Sequence, residues 1–244
     1  MKIGFVGCSH STISYGLPWS THMKNDLLCE TVDISTSGAS NEMFIEKVKK
    51  TLEVNNNIDF FIIQLTDPSR MMMGLHGNNP QEEYEKFNNV EYYQSNINCY
   101  RQTNGISYYN LLINGGGDLN KILDTNFSLD VLHFLQEHVI ISDYNMKIKI
   151  FHTLMTYKSL FEYFGKKVLF FSWNVDIKQL ANENGYGEII KEFDIIDGYV
   201  VNFTKDKKLT PCDSTHYGTE SHKIIYDEFL KSNIIDFIKK YDII

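Results

Sequence analysis

Positive charge is the first thing this chain is short of. Its 244 residues carry 23 Lys or Arg against 31 Asp or Glu, a formal net charge of −8. Holding a nucleic-acid backbone takes clustered cations. The lysines here are scattered in small groups such as Lys47, Lys49 and Lys50. Nucleic acid is therefore excluded as a main partner. Cysteine is scarce too: Cys8, Cys29, Cys99 and Cys212 include no Cys-x-x-Cys pair and are too few for a disulfide scaffold. Small buried thiols are the plain reading of Cys8 and Cys212, although each stands beside a candidate catalytic residue. No apolar run reaches the ~18 residues of a membrane-spanning helix. The run Ile3-Gly4-Phe5-Val6 behind Met1-Lys2 is too short for the core of a signal peptide. The expectation is a soluble, cytoplasmic protein with no membrane partner.

What the chain does contain is enough apolar sequence for one large domain, with 43% hydrophobic and 22% charged residues. Short apolar runs alternate with helical patterns. Strands are expected at Ile3 to Val6, Thr31 to Ile34, Ile58 to Leu65, Val168 to Ser172 and Asp197 to Val201. A helix is expected from Asn41, with Ser40 or Asn41 as N-cap and Met43, Phe44, Val48 and Leu52 on one face. Another helix, or a broken pair, covers 128–164, and Glu220 to Ile238 forms the last. Strand–helix alternation predicts an α/β fold, a three-layer α/β/α sandwich around a parallel, flavodoxin-like five-stranded sheet. One domain, 1–244, is expected. The stretch at about 69–125 breaks the pattern. It carries Met71-Met72-Met73, many tyrosines and Asn114-Gly115-Gly116-Gly117. It reads as a helical, aromatic insertion, either a lid facing substrate or an extra structural layer.

Two polar motifs at opposite ends of the chain carry chemistry. Gly7-Cys8-Ser9-His10-Ser11 follows the first expected strand, and Asp213-Ser214-Thr215-His216 precedes the last helix. In parallel sheets ligands gather outside the carboxyl ends of the strands, which is where Ser9 would stand. Three residues after Asp213, His216 is within reach of its carboxylate across one turn. The carboxylate would orient the imidazole, and the imidazole would take the proton of Ser9. Each motif is also common by chance, as a plain loop serine or a capping aspartate. Other uses of the same residues stay open: a metal site from Cys8, His10, Asp213, His216 and His222, or a phosphate loop at Gly7 to Ser11, which lacks the P-loop lysine.

In motif order the chain resembles the SGNH (GDSL-like) hydrolase superfamily. Ser9 matches the nucleophile after strand one, and Asp213 with His216 matches the Asp-x-x-His before the last helix. Gly38, in Ser37-Gly38-Ala39-Ser40, matches the glycine after strand two whose N–H binds the oxyanion. Gln64-Leu65-Thr66-Asp67 falls where the family has Gly-x-Asn-Asp. The run Gln64 to Arg70 and the continuation Gly218-x-x-Ser221-His222 resemble a divergent phage and viral branch. The resemblance implies a serine esterase or acyl hydrolase, or a carbohydrate O- or N-deacetylase, acting on a small-molecule or carbohydrate ester without a cofactor. Ser9, Asp213 and His216 would be catalytic. Gly38, Thr66, Asn41 and Gln64 would serve the oxyanion or substrate, with Asn174 a further donor. Two departures are visible: Cys8 replaces the usual aspartate, and Thr66 replaces an asparagine that donates to the oxyanion. Losing such a donor costs ~3 kcal/mol in the transition state. The alternative is an inactive relative that uses the cleft to bind a ligand or partner.

Overall fold

The computed structural model opens with β1 (Lys2–Val6), one 3-10 turn (Ser9–Ser11), α1 (Trp19–Leu27), β2 (Glu30–Asp33), α2 (Asn41–Val54) and β3 (Phe60–Leu65). Next come β4 (Met71–Gly77), β5 (Ile97–Thr103), β6 (Ile106–Ile113), α3 (Asp143–Tyr163) and β7 (Lys167–Ser172). They are followed by α4 (Ile177–Glu183), α5 (Gly187–Ile190), β8 (Asp194–Ile195) and α6 (Val200–Asp206). The final helix runs as α7 (Thr219–Ile224), a π-helical stretch (Ile225–Leu230) and α8 (Lys231–Lys240). The structure describes residues 1–11, 16–35, 41–54, 57–66, 71–77, 97–103, 106–113, 143–212 and 216–243. Gly38, Ser40, Asp213 and the 128–142 stretch lie outside them, and Ser9 is described by its backbone.

Two compact units emerge: Met1–Ala39 with Met43–Asp67 and Thr153–Ile244, and Ser40–Glu42 with Pro68–His152. The first holds a five-stranded sheet in the order β2-β1-β3-β7-β8, with every neighbouring pair parallel. Counting only these strands, the order is 2-1-3-4-5, the flavodoxin-like arrangement. Side chains alternate between its faces, as the period of a strand requires. Ile3, Phe5, Phe60, Ile62, Leu169 and Phe171 join one apolar core with Trp19 and Met23 of α1 and with Ile234, Phe237 and Ile238 of α8. Pointing the other way, Phe61 and Phe170 meet Phe161 and Tyr157 of α3, with ring centroids 5.0 and 5.7 Å apart. Helices thus cover both faces, and the fold is an α/β sandwich.

Two local expectations are corrected. The fifth strand is Asp194–Ile195, and not Asp197 to Val201. Gly198 takes a φ of +75°, turning the chain out of the strand, and Val200 becomes a fully buried residue of α6. The described part of the insertion is also not helical: β4, β6 and β5 form a three-stranded antiparallel sheet in that order. It belongs to the second unit, which extends to His152. One helix the sequence reading missed is α1. Its apolar residues Trp19, Met23 and Leu27 recur at four-residue spacing, but the stretch between is built from weak helix formers. No helix among the described residues is long and apolar enough to cross a membrane.

Candidate active site

At the carboxyl end of β1 the backbone folds at once into the 3-10 turn, closed by Ser11 N–H donating to the Cys8 carbonyl at 2.9 Å. Ser9 is the first residue of that turn. A network of buried side chains holds the turn in place. Gln64 of β3 is fully buried, and its Nε2 donates to Cys8 Sγ at 3.0 Å. Ser11 Oγ donates to Gln64 Oε1 and accepts from Trp19 Nε1, the latter at 2.9 Å. Trp19 in turn packs edge-on against Phe5 and Phe171. The turn carrying Ser9 is thereby tied to β3 and α1 through the buried side chains of Cys8, Gln64, Ser11 and Trp19.

In this network Cys8, which stands where the SGNH pattern carries aspartate, meets the side chain of Gln64 on β3. A buried carboxylate at position 8 would carry a desolvation cost that the thiol avoids. The long amide at 64 reaches the thiol and Ser11, so both ends of its carboxamide are engaged in holding the turn. Thr66, one step beyond β3, is buried at the same sheet edge. Asn41 is the first residue of α2 and is also buried; it belongs to the second unit.

His216, of the other motif, is held by its backbone: its carbonyl accepts from both Cys212 N–H at 2.7 Å and Cys212 Sγ at 3.1 Å. Tyr217, next along, is buried, and its hydroxyl lies 2.8 Å from Thr204 Oγ1. The His216 side chain is half-buried, and its ring centroid lies 5.0 Å from that of His10. His10 is itself stacked on Trp173, just past β7, at 4.1 Å with an interplanar angle of 11°. Farther out, Leu17 N–H donates to Thr219 Oγ1 at 3.0 Å, a second tie between the chain after β1 and the start of the last helix. The two ends of the chain meet at one edge of the sheet.

Nothing among the described residues gathers three or more His, Cys, Asp or Glu side chains into a metal-binding group. Of the residues weighed for a metal, Cys8 is turned toward Gln64, and His222 is buried behind the site with its ring 6.1 Å from that of Trp173. Sequence reasoning missed Ser11, Trp19 and Trp173 as parts of this site. The close spacing of Ser9 and Ser11 in one tight turn is the signal that was there to read.

Burial, and then the nearby imidazoles of His22 and His216, push the pKa of His222 down to about 4. The native state thus keeps this ring neutral while the unfolded chain protonates it near the usual 6.5. Between those values the unfolded state binds more protons, so stability falls as the pH drops from ~6.5 to ~4 and this contribution changes no further below that. The full effect is about 3 kcal/mol. Thermal unfolding across that window should show a steeper acid-side loss for the wild type than for His222→Leu. Parallel Tm–pH curves for the two would contradict the burial argument.

No family model matches the chain, and no curated protein sequence matches it. Solved structures do. TesA aligns over 98% of this chain and 99% of its own, with a TM-score of 0.51 at 12% sequence identity. The chain shares its fold with TesA. The psychrotrophic esterase EstA from Pseudoalteromonas sp., in a structure inhibited by monoethylphosphonate, aligns over 98% of this chain and 97% of its own. Its TM-score is 0.48, again at 12% identity. At 12% identity the likeness to TesA is one of fold alone, and that fold is the α/β sandwich expected from the sequence.

Proposed function

We propose that the chain is a serine esterase of SGNH type, with Ser9 as nucleophile, His216 as general base and Asp213 as the carboxylate that orients His216. The observation that carries this reading is the 5.0 Å approach of the His10 and His216 rings. His10 follows Ser9 directly in the same tight turn, so that approach supports a site shared by Ser9 and His216. Ser9 Oγ would add to the carbonyl carbon of an ester as His216 takes its proton. The tetrahedral intermediate then expels the alcohol, which leaves with that proton, and an acyl-serine remains. Water, deprotonated by His216, attacks the acyl-serine and releases the carboxylic acid with Ser9 restored. The backbone N–H groups of Ser9 and Gly38 would hold the oxyanion. With the Gln64 carboxamide engaged by Cys8 and Ser11, Thr66, just past β3, would be the third donor. Its shorter reach predicts a slow enzyme on small or acetylated esters.

Hydrolysis of 4-nitrophenyl acetate tests this. The wild type should turn over the ester catalytically, and Ser9→Ala should fall to the buffer rate while remaining folded by circular dichroism. If the folded wild type and Ser9→Ala both stay at the buffer rate, the esterase reading fails. The altered third block would then favour a ligand-binding relative on the same scaffold.

A further inference from the structure

We infer that Asp26 is a positioning residue for the proposed site: its carboxylate clamps the π-helical turn of the last helix to α1, and the clamp fixes where the loop ending at His216 stands against the turn carrying Ser9. The inference rests on the reading of Ser9 and His216 given above and goes beyond it, because Asp26 belongs to neither triad nor oxyanion site. Asp26 Oδ2 accepts from the Tyr226 hydroxyl and Oδ1 from Lys231 Nζ, each at 2.8 Å. Lys231, and after it Tyr226, holds the Asp26 carboxyl below its usual carboxylate range. The two donors are five residues apart. On an α-helix that spacing would leave their side chains about 140° apart around the axis. A π-helix closes on the fifth residue, which brings Tyr226 and Lys231 to one side. One carboxylate receives both because Ile225–Leu230 is π-helical. Within the same turn Asn233 Nδ2 donates to the Phe229 carbonyl at 3.0 Å.

The apolar pattern calls for the wide turn as well. His222, Tyr226, Leu230, Ile234 and Ile238 are all buried and recur at every fourth residue. On a straight α-helix each such step advances about 40°, so the stripe would wind by about 160° and leave the core. The slower rotation of a π stretch brings it back. Helix α1 meets this helix at two points. Near its start Leu17 N–H donates to Thr219 Oγ1 at 3.0 Å, and Trp19 holds Ser11 of the nucleophile's turn. Near its end Asp26 holds the π turn. Between these ties lies α7, six residues long, whose buried side chain is His222 and whose N-cap, Gly218, follows Tyr217 directly after His216. On the far side α8 is anchored by Ile234, Phe237 and Ile238 in the core. A π turn relaxing to α geometry would shed its surplus residue as a rotation of about 100°. The short α7, and with it the base's loop, would take up that rotation. Displacing a base by even ~1 Å costs on the order of 10²-fold in rate.

Three variants and two readouts test this on the full chain. Through-hydrogen-bond NMR couplings should pair amides with carbonyls five residues apart across 225–230 in the wild type. Asp26→Ala and Tyr226→Phe should each change that pairing to four residues apart and shift the amide resonances of residues 216–219. Asp26→Asn, whose amide oxygen still accepts from Tyr226, should keep the wild-type pairing. In 4-nitrophenyl acetate hydrolysis, Asp26→Ala and Tyr226→Phe should lower kcat by about 10- to 100-fold with KM changed less than about 3-fold, while Asp26→Asn stays within about 5-fold of wild type. If Asp26→Ala does not fold, Tyr226→Phe, which keeps the buried ring, decides the matter. A folded Asp26→Ala or Tyr226→Phe that keeps the five-residue pairing, or leaves 216–219 unshifted, overturns the proposal whether or not the wild type is an enzyme. So does a kcat within about 2-fold of an active wild type, or a folded Asp26→Asn as impaired as Asp26→Ala. Loss of the pairing and shifts at 216–219, in a protein whose wild type has no turnover, defeat the esterase reading alone and leave the clamp supported.

Discussion

Replacing His216 by alanine should lower kcat for an activated ester by about 10³-fold, the usual scale for loss of a general base that activates a serine. The same change should leave Tm within about 3 °C of wild type. The two halves of this expectation come from different atoms of one residue. The backbone at position 216 holds the chain locally: the carbonyl accepts from Cys212, and the next residue is anchored through Tyr217 and Thr204. Alanine keeps all of this. What it removes is the half-buried imidazole beside His10. Steady-state kinetics with calorimetry on the same preparation checks both parts. A kcat within 3-fold of wild type would remove His216 from the chemistry. A Tm drop beyond 10 °C would make its role mainly structural.

The second large effect should come from the smallest residue in the motif. A Cβ built on Gly7 would lie 2.6 Å from Gln64 Oε1 and nearer still to Ser11 Oγ, closer than side-chain carbons pack. Neither neighbour is the free end of a flexible surface chain. Both are fully buried and hydrogen-bonded to each other and onward to Cys8 and Trp19. Gly7→Ala must therefore push the network apart. Overpacking costs about 1–3 kcal/mol and a broken buried hydrogen bond a similar amount, so about 2–4 kcal/mol is expected in total. For a chain of this size that is a Tm loss of roughly 5–15 °C. Because Ser9 stands on the displaced turn, kcat should fall by about 10²-fold as well. Unchanged Tm and unchanged kcat in Gly7→Ala would mean that the turn does not depend on the packing described.

Both effects arise at places that differ in how readable they were. Strands β1, β3 and β7 were legible because each is a largely buried apolar run closed by glycine or polar residues, while the mixed, half-exposed β2 was read from its place ahead of the helical pattern that starts at Asn41. The fifth was misplaced because Tyr199-Val200-Val201 looks more strand-like than Asp194-Ile195, and propensity loses to the turn that Gly198 makes. In the second unit, Asn104-Gly105 separates β5 from β6 and is the strongest short-range hairpin signal. The aromatic residues around it mask the alternation of the two strands. At the candidate site, Gly7, Ser9 and His216 were singled out from motif and position alone. The Cys8–Gln64–Ser11–Trp19 network was not, because Gln64 is far along the chain from its partners and no local pattern announces such contacts. His10 stood out in the sequence only as a candidate metal ligand, since a single imidazole gives no sign of the indole beneath it.

The central claim is that a reactive Ser9 and the base His216 belong to one site, and a fluorophosphonate probe tests it most directly. After labelling, digestion and mass spectrometry should place the phosphonyl group on the peptide containing Ser9, and His216→Ala should label far more slowly than wild type. An adduct on any other residue, or equal labelling rates in wild type and His216→Ala, would contradict it.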